Sequence, residues 1–297
     1  MFFYMKNIKS QNWFDIETKK KILDKTELFV LDMDGTFYLD NDILDGALDF
    51  LDAVKKCGKD YIFFTNNSST TPDLYIEKLR KMNCHITRDQ IMTSADVMIR
   101  YLNAEFKGAS VYVLAPDAVK KSFIDEGVKV FEPEIPESEG YVPAGTDKVP
   151  DIVVVCFDKK LTYNRLTNAC TYIRRGAKFL ATHLDINCPV KDGFIIDCGS
   201  ICTAINLSTG VSPRYVGKPF RETVDMVIDK TGIERERISF VGDRLYTDVA
   251  TGVKNGANGI LVLSGEASVD DIETSDVKPD AVYSSIKEME QLLNNLL

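Results

Sequence analysis

Four consecutive β-branched residues, Ile152-Val153-Val154-Val155, stand together near the middle of this chain with no polar residue between them. A strand with one wet face alternates apolar and polar side chains. A strand covered on both faces does not, and such strands belong chiefly to parallel sheets flanked by helices. The run extends over 152–157, and six further apolar runs rich in strand-forming residues lie at 27–31, 61–64, 111–114, 178–181, 238–241 and 259–263. Helix-period segments fall between them. In 45–57, Leu48, Leu51 and Val54 recur every third residue, and Gly58 can supply a left-handed stop. Thr162 can cap a helix that carries Leu166, Ala169 and Ile173 and ends at Gly176. This alternation builds βαβ units, so the fold class is α/β with a parallel sheet.

With 297 residues, 44% of them hydrophobic, the chain can bury a sizeable core, and two domains are expected. A Pro/Glu-rich stretch at 132–150 reads as a long exposed connection. The 36 basic residues are outnumbered by 45 acidic ones, for a net charge of −9, which disfavours nucleic acid and anionic membrane as partners. Residues 18–21, Thr-Lys-Lys-Lys, are flanked by acids and read as a solvated helix face. The apolar opening Met-Phe-Phe-Tyr-Met is interrupted by Lys6 and Lys9 before it reaches signal-peptide length, and no run approaches a membrane span. Seven cysteines without paired CxxC spacing read as reduced thiols, so a cytoplasmic protein is expected.

Four places at strand ends or strand–helix junctions carry the chemistry. In the first, Phe29-Val30-Leu31 runs directly into Asp32-Met33-Asp34-Gly35-Thr36. Ligand crevices of open α/β sheets lie beyond the carboxyl ends of strands, where both aspartates arrive. Alternation along a continuing strand puts residues 32 and 34 on one side. Two close carboxylates repel, so the pair calls for a hard metal, a shared proton, or both. In the second, the strand at 61–64 ends in Thr65-Asn66-Asn67-Ser68-Ser69, an uncharged cluster suited to phosphate oxygens. The third is Gly217-Lys218-Pro219, a lone cation at a helix start, and the fourth is the strand at 238–241 ending in Gly242-Asp243-Arg244-Leu245-Tyr246-Thr247-Asp248.

These four motifs, in this order, resemble those of the haloacid dehalogenase superfamily of phosphohydrolases, and more narrowly its NagD/p-nitrophenylphosphatase-like branch. The likeness covers nearly all the chain after about residue 25. It includes the cap-type segments Val111-Tyr112-Val113-Leu114, Ala177–Thr182 and Gly199-Ser200-Ile201. Phe37 stands where the branch often has Leu, Ile or Val, and His183 where it usually has Asn.

The resemblance implies a Rossmann-like parallel-sheet core with an inserted α/β cap. The core would comprise residues 1–107, including an N-terminal extension over 1–26, and residues 211–297; the cap would span residues 108–210. It implies a Mg²⁺-dependent phosphatase of small phosphorylated metabolites, with Asp32 as nucleophile and Asp34 as general acid/base. The Mg²⁺ would sit between Asp32, the backbone carbonyl of Asp34 and Asp243, with Asp248 supporting it. Thr65, Asn66 and Lys218 would hold the phosphoryl group. The segment Thr182-His183-Leu184-Asp185 is expected to face substrate, with His183 and Asp185 as its contacts.

Phosphoryl transfer depends mainly on positioning and charge neutralisation, which these residue types supply. A phosphomutase shares the same motifs and is the alternative enzyme. A signalling receiver also phosphorylates an Asp, but it has neither an acid two residues on nor so large an insertion. Substrate identity and oligomeric state, homo-oligomers included, stay open in the sequence.

Overall fold

A computed structural model describes residues 12–133, 148–190 and 193–296. Most of the Pro/Glu-rich connection, residues 134–147, and residues 1–11 of the N-terminal extension lie outside the described residues. The chain forms two compact units, residues 1–63 with 230–297 and residues 64–229. The cap expected over 108–210 falls inside the second.

In the first unit, five parallel strands lie in the order Ala281–Tyr283, Asn258–Val262, Ile238–Gly242, Leu28–Leu31, Asp60–Thr65. The last begins in this unit, and its final two residues belong to the second. Every residue of Leu28–Leu31 is buried, as expected of a strand covered on both faces. Phe29 packs edge-on against Phe50 of the helix Ala47–Lys56, and Phe37 against Phe63.

The register pairs Leu31 with Val241, and the Asp32 amide donates to the Val241 carbonyl at 2.8 Å. Two neighbouring strands therefore release Asp32 and Asp243 side by side. Lys19 departs from the solvated face expected for residues 18–21. It is buried, pairs with Glu288 and stands 5.0 Å from the Tyr283 ring centroid, because the helix Ile16–Lys25 packs this face inward.

The second unit has its own parallel sheet, ordered Arg214–Tyr215, Lys178–Ala181, Ile152–Val155, Ser110–Leu114, Lys129–Val130. Its core gathers Tyr112, Val153, Val155 and Phe179 with Tyr172 and Ile173 of the helix Tyr163–Arg174 and Ile201 and Ile205 of Cys198–Thr209. Thr162 caps the first of these helices by accepting from the Arg165 amide, as its position suggests. Ala181 and Tyr215 are paired, so the segments 182–185 and 216–218 leave adjacent strands at the same end.

All seven cysteines are free thiols, five of them buried. No helix among the described residues is long and apolar enough to cross a membrane.

Candidate active site

In the first unit, Asp32, Asp243 and Asp248 each bring a carboxylate oxygen within 4.8 Å of the others. Asp32 and Asp243 arrive on strand ends. Asp248 arrives on the π-helical turn Leu245–Val249, whose widened winding lets the Asp248 carboxylate accept from the Arg244 amide at 3.1 Å. Asp243 is oriented from one side only. Its Oδ2 accepts from the Glu266 amide at 2.7 Å, while its Oδ1 is buried with no hydrogen-bond partner. A buried carboxylate oxygen left bare is costly. Burial, and next the charge of Asp248, push the Asp243 carboxyl up to about 6, against the opposing pull of the Glu266 amide and Arg244. A hard divalent cation bound by oxygens fits both the bare atom and the donor set.

Two glycines make room for this arrangement. Gly35 takes φ +82°, and a Cβ there would lie 2.9 Å from Asp243 Cγ and 3.3 Å from the Gly265 Cα. A Cβ on Gly265 would strike the same carboxylate. Gly35→Ala therefore meets backbone strain and displaces Asp243 together. We expect a stability loss of about 1–3 kcal/mol and divalent-cation affinity at least about tenfold weaker, checked by urea unfolding and calorimetric titration. Wild-type cation affinity in this variant would remove the cradle as a determinant.

Asp34 is exposed, and its side chain stands outside the three-carboxylate group. It accepts from Tyr38 Oη at 3.3 Å. The chain bends at Met33, whose carbonyl takes the amides of Thr36, Phe37 and Tyr38, so strand alternation stops before residue 34.

The second unit assembles the polar residues expected to hold phosphate. Thr65 ends the strand Asp60–Thr65, and its Oγ1 accepts from the Asn67 amide at 3.1 Å. The Asn66 side chain clasps Lys218, accepting from its amide at 2.9 Å and donating to its carbonyl at 3.1 Å. Lys218 is 3% exposed; its ammonium donates to the Phe64 carbonyl at 3.3 Å and stands 5.4 Å from the Phe64 ring centroid. Asp185, also buried, accepts from Asn66 Nδ2 at 3.3 Å, so Asn66 contacts both Lys218 and Asp185.

His183 is fully buried, with Thr182, Ser94 and Ser68 hydroxyls about its Nδ1 and Asp197 Oδ1 2.9 Å from its Nε2.

Ser94, Asp197 and the loop Ser264-Gly265-Glu266 went unread in the sequence. Asp197 before the helix Cys198–Thr209 had a visible cap signature, and the loop follows a strand end. Ser94 carried no sign beyond opening the helix Ser94–Glu105.

A model described as haloacid dehalogenase-like hydrolase matches residues 29–129, and a second, HAD-hydrolase-like, matches 215–289. The acid sugar phosphatase of Staphylococcus epidermidis is 31% identical over 260 residues, covering 88% of this chain and 95% of that protein. The chain belongs to the haloacid dehalogenase-like hydrolases, and within them to the NagD-like phosphatases.

Solved structures of that branch superpose closely. The 4-nitrophenylphosphatase of Thermotoga maritima does so with a TM-score of 0.83 at 42% identity, over 91% of this chain and 98% of that one. NagD of E. coli K-12 gives 0.78 at 28% identity, over 89% and 98%.

Proposed function

We propose that this chain is a Mg²⁺-dependent phosphatase that hydrolyses small phosphate monoesters, sugar phosphates foremost, through a phosphorylated Asp32. The observation that carries this is the convergence of the Asp32, Asp243 and Asp248 carboxylates around a buried, unpartnered Asp243 oxygen. Asp32, Asp243 and the Asp34 backbone carbonyl would hold the ion, supported by Asp248. When bound, the ion neutralises charge on the phosphoryl oxygens and on Asp32.

An Asp32 oxygen attacks phosphorus, and the bond from phosphorus to the ester oxygen breaks. Asp34 gives its proton to that oxygen, and the alcohol leaves. Water then attacks the phosphorus of the acyl phosphate, Asp34 takes the proton, and phosphate departs with the Asp32 carboxylate restored. Asp34, which is exposed, thus ends each turnover protonated as it began, having given one proton to the leaving oxygen and taken one from the attacking water.

Thr65, Asn66 and Lys218 hold the phosphoryl oxygens, and Asp185 contributes to substrate binding. Lys218, buried and clasped by Asn66, presents a point charge with little freedom left to lose. Residues 108–210 form the specificity cap, inserted between core segments 1–107 and 211–297, and the protein works in the cytoplasm.

The acid sugar phosphatase similarity favours sugar phosphates over the aryl esters that name the Thermotoga relative. The test is phosphate release across a panel of sugar, nucleotide and aryl phosphates in Mg²⁺. Turnover on several sugar phosphates is expected; isomerised sugar phosphate without free phosphate would instead establish a mutase.

A further inference from the structure

His183 stands at a junction of four segments of the second unit. Thr182 and His183 follow the strand Lys178–Ala181, Ser68 lies beyond Asp60–Thr65, Ser94 opens the helix Ser94–Glu105, and Asp197 caps Cys198–Thr209. The ring contacts all four: Thr182 Oγ1 at 3.0 Å, Ser94 Oγ at 3.3 Å and Ser68 Oγ at 3.5 Å on the Nδ1 side, and Asp197 Oδ1 at 2.9 Å on the Nε2 side.

Each partner passes the constraint on. Ser94 Oγ donates to the Asn66 carbonyl, and Ser68 Oγ meets Thr182 Oγ1 at 2.9 Å while accepting from the Phe157 amide at 2.9 Å. The Thr182 carbonyl takes the Gly217 amide at 2.7 Å, one residue before Lys218. The Asp197 carboxylate also accepts from the Cys198 amide at 2.6 Å. A ring with no exposed surface and both nitrogens engaged has nothing left with which to meet a substrate.

We propose that His183 is a positioning residue: its ring ties the Asn66 loop, the Asp185 segment and the turn before Lys218 into one geometry, and so sets affinity for the phosphoryl group without touching substrate. It rests, for the identity of the ligand, on the phosphate-ester reading above. Because the tie acts through Asn66 and Lys218, which every ester would use, its loss affects all esters alike. A direct contact would instead act on one leaving group.

The charged and titratable groups facing the ring are Asp197 and Cys198 from the helix N-terminus and Asp185 from its own segment. Burial lowers the basicity of His183, but Cys198, the hydrogen bond its ring donates to Asp197 and the charges of Asp197 and Asp185 raise it more, to about 9. A histidine raised this way keeps its tie whole below its ordinary value near 6.5 and loses it as pH climbs through about 9.

The experiment measures inorganic phosphate affinity by calorimetry, and KM and kcat for 4-nitrophenyl phosphate and one sugar phosphate, from pH 6 to 10. The proteins are wild type, His183→Leu, His183→Asn and Ser94→Ala. At pH 7, His183→Leu is expected to weaken phosphate binding and raise KM for both esters by a common factor of about ten, matching one lost charge-assisted hydrogen bond. His183→Asn restores most of this, since its amide can donate and accept. In wild type, KM rises further as pH passes about 9, a step both His183 variants lack; a step arising from Lys218 itself would appear in all four proteins.

Unchanged phosphate affinity in every folded variant overturns the proposal. So does a KM change confined to one ester, or a wild-type step that persists in His183→Asn. Because His183, Asp185 and Asp197 also offer donor atoms within 4.8 Å, phosphate binding is also measured in chelator, with Asp32→Asn added as a control; a chelator-sensitive effect of His183→Asn beyond that of Asp32→Asn would overturn the proposal in favour of a metal site there. If His183→Leu does not fold, the Asn and Ser94→Ala proteins decide. A wild type that binds phosphate but hydrolyses no ester sinks the proposed function and leaves the binding measurements to judge His183.

Discussion

Asp32→Asn is expected to bring turnover to background, a loss of at least about 10⁴-fold, because it removes the attacking oxygen of the proposed mechanism. Mg²⁺ affinity falls with it, since Asp32 is one of the three convergent carboxylates. Asp34→Asn separates the two aspartates. Its carboxylate lies outside that group, and its expected contact to the ion is a backbone carbonyl that the substitution leaves in place. Mg²⁺ binding should hold while the rate drops about 10²–10⁴-fold, the usual scale of general acid–base catalysis. An aryl phosphate, whose leaving group needs little protonation, should suffer less than an alkyl phosphate in single-turnover phosphoryl transfer. Equal loss of Mg²⁺ binding in both variants would reduce the pair to a metal cage.

Removal of the metal should be as severe. Excess chelator is expected to stop phosphate release and Mg²⁺ to restore it. At a concentration 100 times its Kd, a ligand bound only by the folded protein adds about 2.7 kcal/mol, visible as a raised Tm. The bare Asp243 oxygen and its repulsion with Asp248 add a sharper expectation. Asp243→Asn should abolish the Mg²⁺ response of both activity and Tm, yet leave the metal-free protein no less stable than wild type, because a like-charge contact has been relieved. Steady turnover in chelator, or a metal-free Asp243→Asn protein markedly less stable than wild type, would overturn this account of the cluster.

Much of the molecule could be read before folding because its main signals are local. Buried parallel strands advertise themselves as unbroken apolar runs, and the strands at 152–157 and 178–181 lie within a residue or two of their expected ends. Short strands such as Ala281–Tyr283 and Ile91–Thr93 went unread, because three residues do not establish a period. Lys19 shows the opposite failure. A charged triplet looks solvated in sequence, and only the packed partner of its helix shows that one member turns inward to Glu288 and Tyr283.

The residues of the site divide along the same line. Asp32, Asp34, Asp243, Thr65, Asn66 and Lys218 were legible because strand ends in an α/β sheet are where ligands bind, and each stands at such an end or at the helix start that follows one. By itself the sequence determined the fold class, the acidic and polar character of those ends, and the family. Only the tertiary structure decided that Asp243 keeps a bare oxygen, that Gly265 makes room for it, and that Ser94 and Asp197 enclose His183. Those facts depend on residues far apart in the chain meeting at fixed distances. Hydrogen bonding and close packing act between atoms in contact, and sequence separation carries no record of which atoms those are.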